Sequence, residues 1–403
     1  HARNSKLTSV RLRKILRFGF PIEVLNRDLK LIFASNLAGS FGDGLYAYLL
    51  PYYMTKTLKA GSVEVGILYA VVGLVSALTL LLAGTLADKY DRKKIMIAGW
   101  IAWVPAPIIF SIAGNWLQML PGMVLWGVWL GGPTGTAYIV TSADKTKLAL
   151  TFTAISAAWS FGYIFSPALG GYLAGTIGMR IVFYLAFTFY ALAALILILI
   201  RSQHAMSHTE HLPEEQDSLF KLLRTRKLLR LSIFFASIMF ILMLFRPFVP
   251  KFLADVYHYS VFEIGLLGSV LFLGSAVLGI LLGRLGDKWK KQYALATSMI
   301  LCSLSLILFL LFGDFKILIV TFFLTGGSYI TWSLMSAIIG PLAPESMRAR
   351  WVSIPQTVSM FSSVIAPYIG GIVYSLSPYY PFLIAIAITF LLALSAFTRS
   401  FEE

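Results

Sequence analysis

The first chemistry this chain suggests comes from an acid where acids are rarely kept. Of its 18 Asp and Glu residues, 17 fall in polar stretches, in the tails or at the ends of apolar runs. Asp43 alone sits deep in one, about 12 residues or ~18 Å past its start at Leu31 if the run is helical. In a membrane a carboxylate at that depth costs ~2.5–3.5 kcal/mol. Such a group is expected to carry a proton or to face a cationic solute. Asn36, Ser40, Asp43 and Ala47 share one face at helical spacing, and that face is expected to line a cleft. Arg246 is the only basic residue well inside an apolar run. The expectation is that Asp43 and Arg246 approach each other and that solute or proton competes for the pair. The plainer alternatives are a fixed ion pair, or an arginine that snorkels to a surface.

Aromatic residues set the character of the expected cleft. Tyr46, Trp126, Trp129, Tyr138, Trp159, Tyr163, Tyr329 and Trp332 lie in runs expected near the centre, beside Met239, Met243 and Gln356. Such a wall suits an amphipathic or lipophilic solute better than a sugar, which wants many amides and carboxylates. Taken singly, each ring has a simpler use in packing between helices or facing lipid.

The elements that must hold these residues follow from composition. The 403 residues are 58% hydrophobic and 13% charged, about half the charge of a soluble domain. Lipid must cover the surplus apolar surface, which leaves helices or a closed barrel. Barrel strands alternate apolar and polar residues. Here the runs are continuous, as in Leu68–Leu82 and Phe183–Ile200, so the spans are helical. Twelve are expected, near 31–54, 63–87, 94–113, 117–142, 150–175, 181–200, 230–253, 262–286, 292–312, 316–342, 350–376 and 380–398, each about the ~20 residues a bilayer needs. With the N-terminus inside, 27 of the 33 Lys and Arg fall in inside loops and tails, and 5 fall outside. That asymmetry places both termini in the cytoplasm. It accounts for the net charge of +15 through an anionic inner leaflet, without nucleic acid.

The polar stretches carry weaker signals. Residues 7–20 read as a basic amphipathic helix on the inner leaflet, ended by Pro21. Behind such a basic segment, the first apolar run does not have the layout of a signal peptide. Residues 201–229 read as a linker. His204, His208 and His211 could share a helical face there and hold a metal, but a solvated loop is the plainer reading and no metal site is assigned. The one cysteine, Cys302, reads as a packing thiol. The chain has no His-x-x-Glu-His, no Gly-x-Ser-x-Gly and no nucleotide loop, so no enzyme and no cofactor is expected.

A repeat organises the whole. Gly84-Thr-Leu-Ala-Asp88-Lys-Tyr recurs 199 residues later as Gly283-Arg-Leu-Gly-Asp287-Lys-Trp. At the same offset Pro51 matches Pro250, Glu64 matches Glu263 and Gly66 matches Gly265. Pro167-Ala-Leu-Gly170-Gly171 recurs as Pro367-Tyr-Ile-Gly370-Gly371 at an offset of 200. Six spans have been duplicated. The expected parts are a basic segment at 1–30, a six-helix bundle at 31–200, a linker at 201–229 and a second bundle at 230–399. A cleft between like halves opens to either side as they rock.

Gly84–Lys94 resembles the signature between the second and third spans of the major facilitator superfamily, matching it at Gly84, Leu86, Asp88, Lys89, Arg92 and Lys93. It departs at Asp91, where that family usually has glycine. The second copy keeps Gly283, Asp287 and Lys288. The resemblance implies an all-α membrane protein of twelve helices in two pseudo-symmetric six-helix bundles. It also implies a latch at these residues when the cytoplasmic side is closed. There Gly84 would admit a neighbouring helix, Asp88 would face a helix N-terminus, and Arg92 and Lys93 would pair with carboxylates. Gly162–Gly171, with Pro167, Gly170 and Gly171, is similar to the antiporter signature of the drug–proton exporters in that family, although Ser166 stands at one glycine position. The like run in the eleventh span keeps a generic kinked packing helix open as the alternative. Proton-coupled relatives often carry Arg in the fourth span, near Gly127 here. This span has neither Lys nor Arg, which puts the usual coupling route in question.

The implied function is a secondary transporter working by alternating access. It would be an ion-coupled exporter of a small amphipathic, lipophilic or cationic solute, driven by protons or another ion. It is expected to act as a monomer in the plasma membrane. The alternatives are an uptake facilitator for a small organic anion anchored on Arg246, or a membrane protein that transports nothing.

Overall fold

The computed structural model describes residues 21–204, 225–339, 342 and 348–398. The expected helix at 7–20 and most of the 201–229 linker, with His208 and His211, lie outside the described residues. His204 is exposed, and among the described residues no group of His, Cys, Asp or Glu is arranged to hold a metal.

All the regular structure described is helical. The first half holds α1 (Arg27–Tyr46), α2 (Leu50–Lys56), α3 (Ser62–Lys89), α4 (Arg92–Trp103), α5 (Pro105–Ile112), α6 (Leu120–Trp126), α7 (Gly131–Ser142), α8 (Leu148–Thr176) and α9 (Met179–Ile198). The second holds α10 (Arg226–Phe245), α11 (Val249–Asp255), α12 (Val261–Lys288), α13 (Lys291–Leu311), α14 (Phe315–Gly326), α15 (Thr331–Ile339), α16 (Arg348–Leu376) and α17 (Tyr380–Thr398). Among the described residues, nine stretches are long and apolar enough to cross a membrane. Many large apolar side chains point outward, among them Phe165, Leu195, Ile280 and Leu391. An apolar surface of that extent belongs in lipid rather than water.

The repeat is visible in the helix bounds. α3 and α12 both run 28 residues, offset by 199, and α8 and α16 both run 29, offset by 200. The breaks repeat as well. The first span of each half is interrupted just before a proline, Pro51 in the first turn of α2 and Pro250 in the first turn of α11, where the ring's fixed φ suits a new helix. The fourth span breaks at 127–130 between α6 and α7. Its counterpart, Gly327–Ile330, is a tight 3₁₀ turn between α14 and α15.

The two ends of the molecule differ. One end, here the basic end, carries the turns near residues 90, 143–147, 199–204 and 290. The far end carries those near 57–61, 113–115, 177–178 and 256–260. At the far end the halves meet backbone to backbone. A Cβ at Gly171 would lie 2.7 Å from the Val261 carbonyl oxygen, and one at Gly371 would strike the carbonyl of Ser62, its repeat counterpart. Only glycine lets helices approach so closely. Lys56 of α2 bridges to Asp255 of α11 at 2.8 Å across the seam, and Lys251 reaches the other oxygen of Asp255 at 2.8 Å. Toward the basic end the contacts thin: a Cβ at Gly283 would meet nothing within 4 Å, and Asp287 is exposed.

Candidate functional site

Asp43 is held by α1, whose small residues let it bed against α8 and α9. Ser35 Oγ donates to the Ala193 carbonyl at 2.9 Å, and Ser40 Oγ to the Ala158 carbonyl at 3.2 Å. Asp43 is 3% exposed. Its Oδ1 accepts from Trp126 Nε1 at 2.8 Å and from the Tyr190 hydroxyl, and its Oδ2 accepts from the Tyr163 hydroxyl. Tyr46 and Tyr190 share a further bond, oxygen to oxygen, of 3.0 Å. Every donor is neutral. Trp126 comes from the fourth span, one residue before Gly127.

The break at 127–130 needs its own partners, because open backbone at membrane depth has no water to turn to. The Gly127 carbonyl accepts from Ser76 Oγ at 2.8 Å and the Val128 carbonyl from Trp103 Nε1 at 2.7 Å, while the Trp129 N–H donates to Thr79 Oγ1 at 2.9 Å. Beside the break lies a cleft of about 210 Å³, lined by Trp100, Trp103, Trp129, Trp159, Asn36 and Ser156 among others. The tryptophans separate this cleft from the acid. Trp100 and Trp103 pack on Tyr190, with centroids 5.7 and 5.6 Å apart, and Trp159 stacks on Tyr163 at 6.2 Å. Asp43 therefore does not line open space in this state. It lies two rings behind it, a tyrosine and then a tryptophan.

Asp43 and Arg246 are not paired, contrary to expectation. Arg246 ends α10 in the other half, donates to the Ser328 carbonyl at 3.2 Å and to Ser328 Oγ at 3.0 Å, and sits 3.9 Å over the Tyr329 ring. Each charge has found neutral partners on its own half, so neither crosses the seam to the other. Rings connect them instead: Tyr163 packs on Phe272 at 4.6 Å, and Phe272 on Tyr329 at 5.7 Å.

The duplication of two like bundles also appears in the match to known proteins. The Major Facilitator Superfamily model matches residues 32–262 and again 232–402. The chain belongs to the Major Facilitator Superfamily. It is a multi-pass membrane transporter of small solutes and not an enzyme. It is 26% identical over 384 residues to "Multidrug resistance protein 2" of Bacillus subtilis, covering 89% of this chain and 92% of that one. It is 23% identical over 373 residues to "Quinolone resistance protein NorA" of Staphylococcus aureus, covering 91% and 94%. The solved nucleoside transporter NupG has the same fold, with a TM-score of 0.77 at 15% identity over 93% of this chain and all of that one.

Within this superfamily member, other expected site residues turn out differently. Asn36 and Trp129 line the cleft, and Trp126 and Tyr46 stand at the acid. Ser40 does not line it: the residue is buried against α8, where a Cβ on Gly162 would strike its hydroxyl. Tyr138 does not either. Gly135, Thr136 and Ile139 face the cleft, which turns residue 138 away, and its hydroxyl donates to the Arg201 carbonyl at 2.9 Å near the basic end. Met243 and Trp332 pack at the edge of the core, and Gln356 Nε2 donates to Ser336 Oγ at 3.0 Å between α16 and α15. Tyr329 serves as the platform for Arg246.

The residues expected to form a latch are described only in part. Gly84 and Asp88 lie in α3, but their side chains are outside the described residues. Among the described residues Arg92 meets no carboxylate. It donates to Thr141 Oγ1 and Gln203 Oε1 at 2.8 Å each, and Lys93 Nζ donates to the Ile198 carbonyl at 2.7 Å. Both staple helix C-termini of their own half, where carbonyls lack partners. Asp91, the departure from the family pattern, caps α4 by accepting from the Lys93 N–H at 3.0 Å, and it accepts the Gln203 N–H at 3.1 Å. In the antiporter-like helix, Gly170 lies against the Leu45 carbonyl, and Gly370 lies the same way against that of Leu244. The carbonyl of Pro167 lies under Gly265, as that of Pro367 lies under Gly66. The run packs identically in both halves.

Sequence reasoning missed Trp100, Trp103, Tyr190 and the Lys56–Asp255 pair. The pair had a signal: residue 255 is the repeat counterpart of residue 56, with the opposite charge.

Proposed function

We propose that this chain is a proton-coupled exporter of lipophilic, amphipathic or cationic solutes. A buried acid with only neutral donors, set a tyrosine and a tryptophan behind a tryptophan-lined cleft, carries this reading. The cleft's polar side chains are few and uncharged, as such solutes require, and indole faces attract a cation. Its ~210 Å³ is below the ~300–1,000 Å³ of drug-sized sites, so the second half would complete the binding volume. Asp43 takes up or releases the coupling proton when a swing of Tyr163 or Trp159 lets water reach it. The printed names of the relatives, multidrug and quinolone resistance proteins, support export.

The rest of the setting belongs to the same proposal. Twelve spans fall into bundles at 31–200 and 230–399, joined at 201–229. The basic end and both termini face the cytoplasm, the protein works as a monomer in the plasma membrane, and its cytoplasmic face meets anionic lipid. On this assignment the state described is open inward and closed outward. Anion uptake through Arg246 has less support, because that residue does not line the tryptophan cleft.

The test is accumulation of a lipophilic cationic dye in proteoliposomes under an imposed pH gradient. Wild type concentrates the dye, whereas Asp43→Asn loses at least ~10-fold in gradient-driven rate while binding the dye within ~3-fold, as expected when a group acts in coupling rather than in uniform binding. Unchanged gradient-driven accumulation by Asp43→Asn would overturn the role of the acid. Loss of binding only with Arg246→Ala would favour the anion reading.

A further inference from the structure

Among the described residues, no carboxylate pairs with the charge of Arg246. Its hydrogen-bond partners among the described residues are the neutral carbonyl and hydroxyl of Ser328. Its Nε is buried and has no hydrogen-bond partner among the described residues, and the same is true of the Tyr48 hydroxyl. A buried polar atom left unpaired costs ~1–3 kcal/mol, and more when it belongs to a charged group. Native interiors rarely keep two such atoms together without a guest.

Both residues line one small cavity of about 20 Å³. Tyr48 reaches it from the break between α1 and α2 in the first half, with its ring against Gly268 of α12. Arg246 and Tyr329 come from the second half. The threonine hydroxyls on its wall are engaged elsewhere: Thr321 donates to the Ile317 carbonyl, and Thr325 to Ser305 and the Thr321 carbonyl, while Tyr329 adds a second phenol to the wall. Much of the remaining wall is apolar, including Leu271, Leu306 and Phe309. A space this size takes one body of about water's dimensions, since ~10–15 Å³ is the threshold for one. A water wants two to four partners that include acceptors for its own protons. The wall of this cavity holds a guanidinium with no carboxylate beside it and the phenols of Tyr48 and Tyr329, and the positive charge favours a guest that is itself negative.

We propose that this cavity binds a single monovalent anion of halide size, held between Tyr48 of one half and Arg246 of the other. Its two donors belong to different bundles. Occupancy therefore favours the state in which the far end is closed, and the site comes apart when the halves separate there. The site is distinct from the tryptophan cleft and does not depend on which solute is carried.

The experiment is thermal unfolding of the purified full chain in detergent, in sodium chloride, bromide, formate or gluconate at equal ionic strength. An anion that binds only the folded state raises the midpoint with its concentration. Chloride and bromide are expected to raise it by about 3–5 °C over gluconate and to saturate. Tyr48→Phe, which keeps the ring and should fold, is expected to weaken the half-saturating concentration at least ~5-fold, and Arg246→Gln to abolish the shift. If formate acts and the halides do not, the same donors select a carboxylate and the halide assignment is overturned. Equal midpoints in all four salts, or a chloride shift unchanged in Tyr48→Phe, would mean that the gap holds water only.

Discussion

At the scale of single residues, the site is built to keep one acid buried without a cation. Three neutral donors converge on Asp43, and hydrogen bonds to a charged group contribute ~1.5–3 kcal/mol each. Tyr163 is the informative one, since it alone bonds Oδ2 and also touches Phe272 of the other half. Tyr163→Phe keeps the ring and removes the bond. It should lower stability by about 2 kcal/mol, measured as unfolding in detergent, and slow gradient-driven transport several-fold with dye affinity unchanged. A variant that loses affinity and keeps its rate would place Tyr163 in solute binding instead. Asp43 was legible because depth in an apolar run can be counted. Its partners were not, because a single sequence gives no way to tell which of 19 tyrosines turns inward at the same height. The misplaced pairing with Arg246 has the same cause: the repeat fixes how deep a residue lies, but not whether a neutral group on its own half has already engaged it.

At the scale of helices, close approach and capping explain most of the signature residues. Gly170→Ala would drive a methyl into the Leu45 carbonyl at the α1–α8 contact. Because that neighbour is backbone, it cannot swing aside, and over-packing of this kind costs ~1–3 kcal/mol or more. The expected result is a sharp loss of folded protein in the membrane, followed by fluorescence-detected size exclusion. Normal yield and unfolding temperature would show that the helices can part freely there.

Asp91 works by charge rather than shape. Burial pushes its carboxyl pKa up, but the Gln203 N–H, the Ser202 side chain and the Lys93 N–H outweigh that and hold it below the usual carboxylate value. A depressed folded pKa adds stability above the unfolded value of ~3.9, and that stability is lost as pH falls through the folded value. Asp91→Ala should therefore cost about 1 kcal/mol at pH 7, the usual worth of an N-cap, with a smaller gap at pH 3. A gap that does not change with pH would rule out the charge. Helix ends were readable to within a few residues, since a turn needs polar or glycine residues. The breaks at 127–130 and 246–248 were not, because apolar composition continues through them, and the bonds that satisfy the first come from other helices.

At the scale of the whole molecule, the pseudo-two-fold axis decides what can move. Residues 56 and 255 are repeat counterparts, and they touch each other, which is possible only close to the axis relating the halves. A lysine on one copy and an aspartate on the other turn that point into an attraction. The glycine contacts of Gly171 and Gly371 surround it, while Gly283 and Asp287 at the basic end stand free. Rocking must therefore break the Lys56–Asp255 contact to open the far end. A Lys56→Cys, Asp255→Cys protein bridged by a short bis-methanethiosulfonate should keep the far end shut. Background labelling is small, because Cys302, the one native thiol, is buried. The bridged protein is expected to bind dye from the basic end within ~3-fold of the unbridged form, with net transport reduced at least ~20-fold, because a solute that cannot leave at one end cannot cross. Cleaving the bridge with a reductant should restore transport to the level of the unbridged double variant, which separates the lock from the loss of the ion pair. Transport at the unbridged rate with the bridge in place would mean that the halves part somewhere other than this seam.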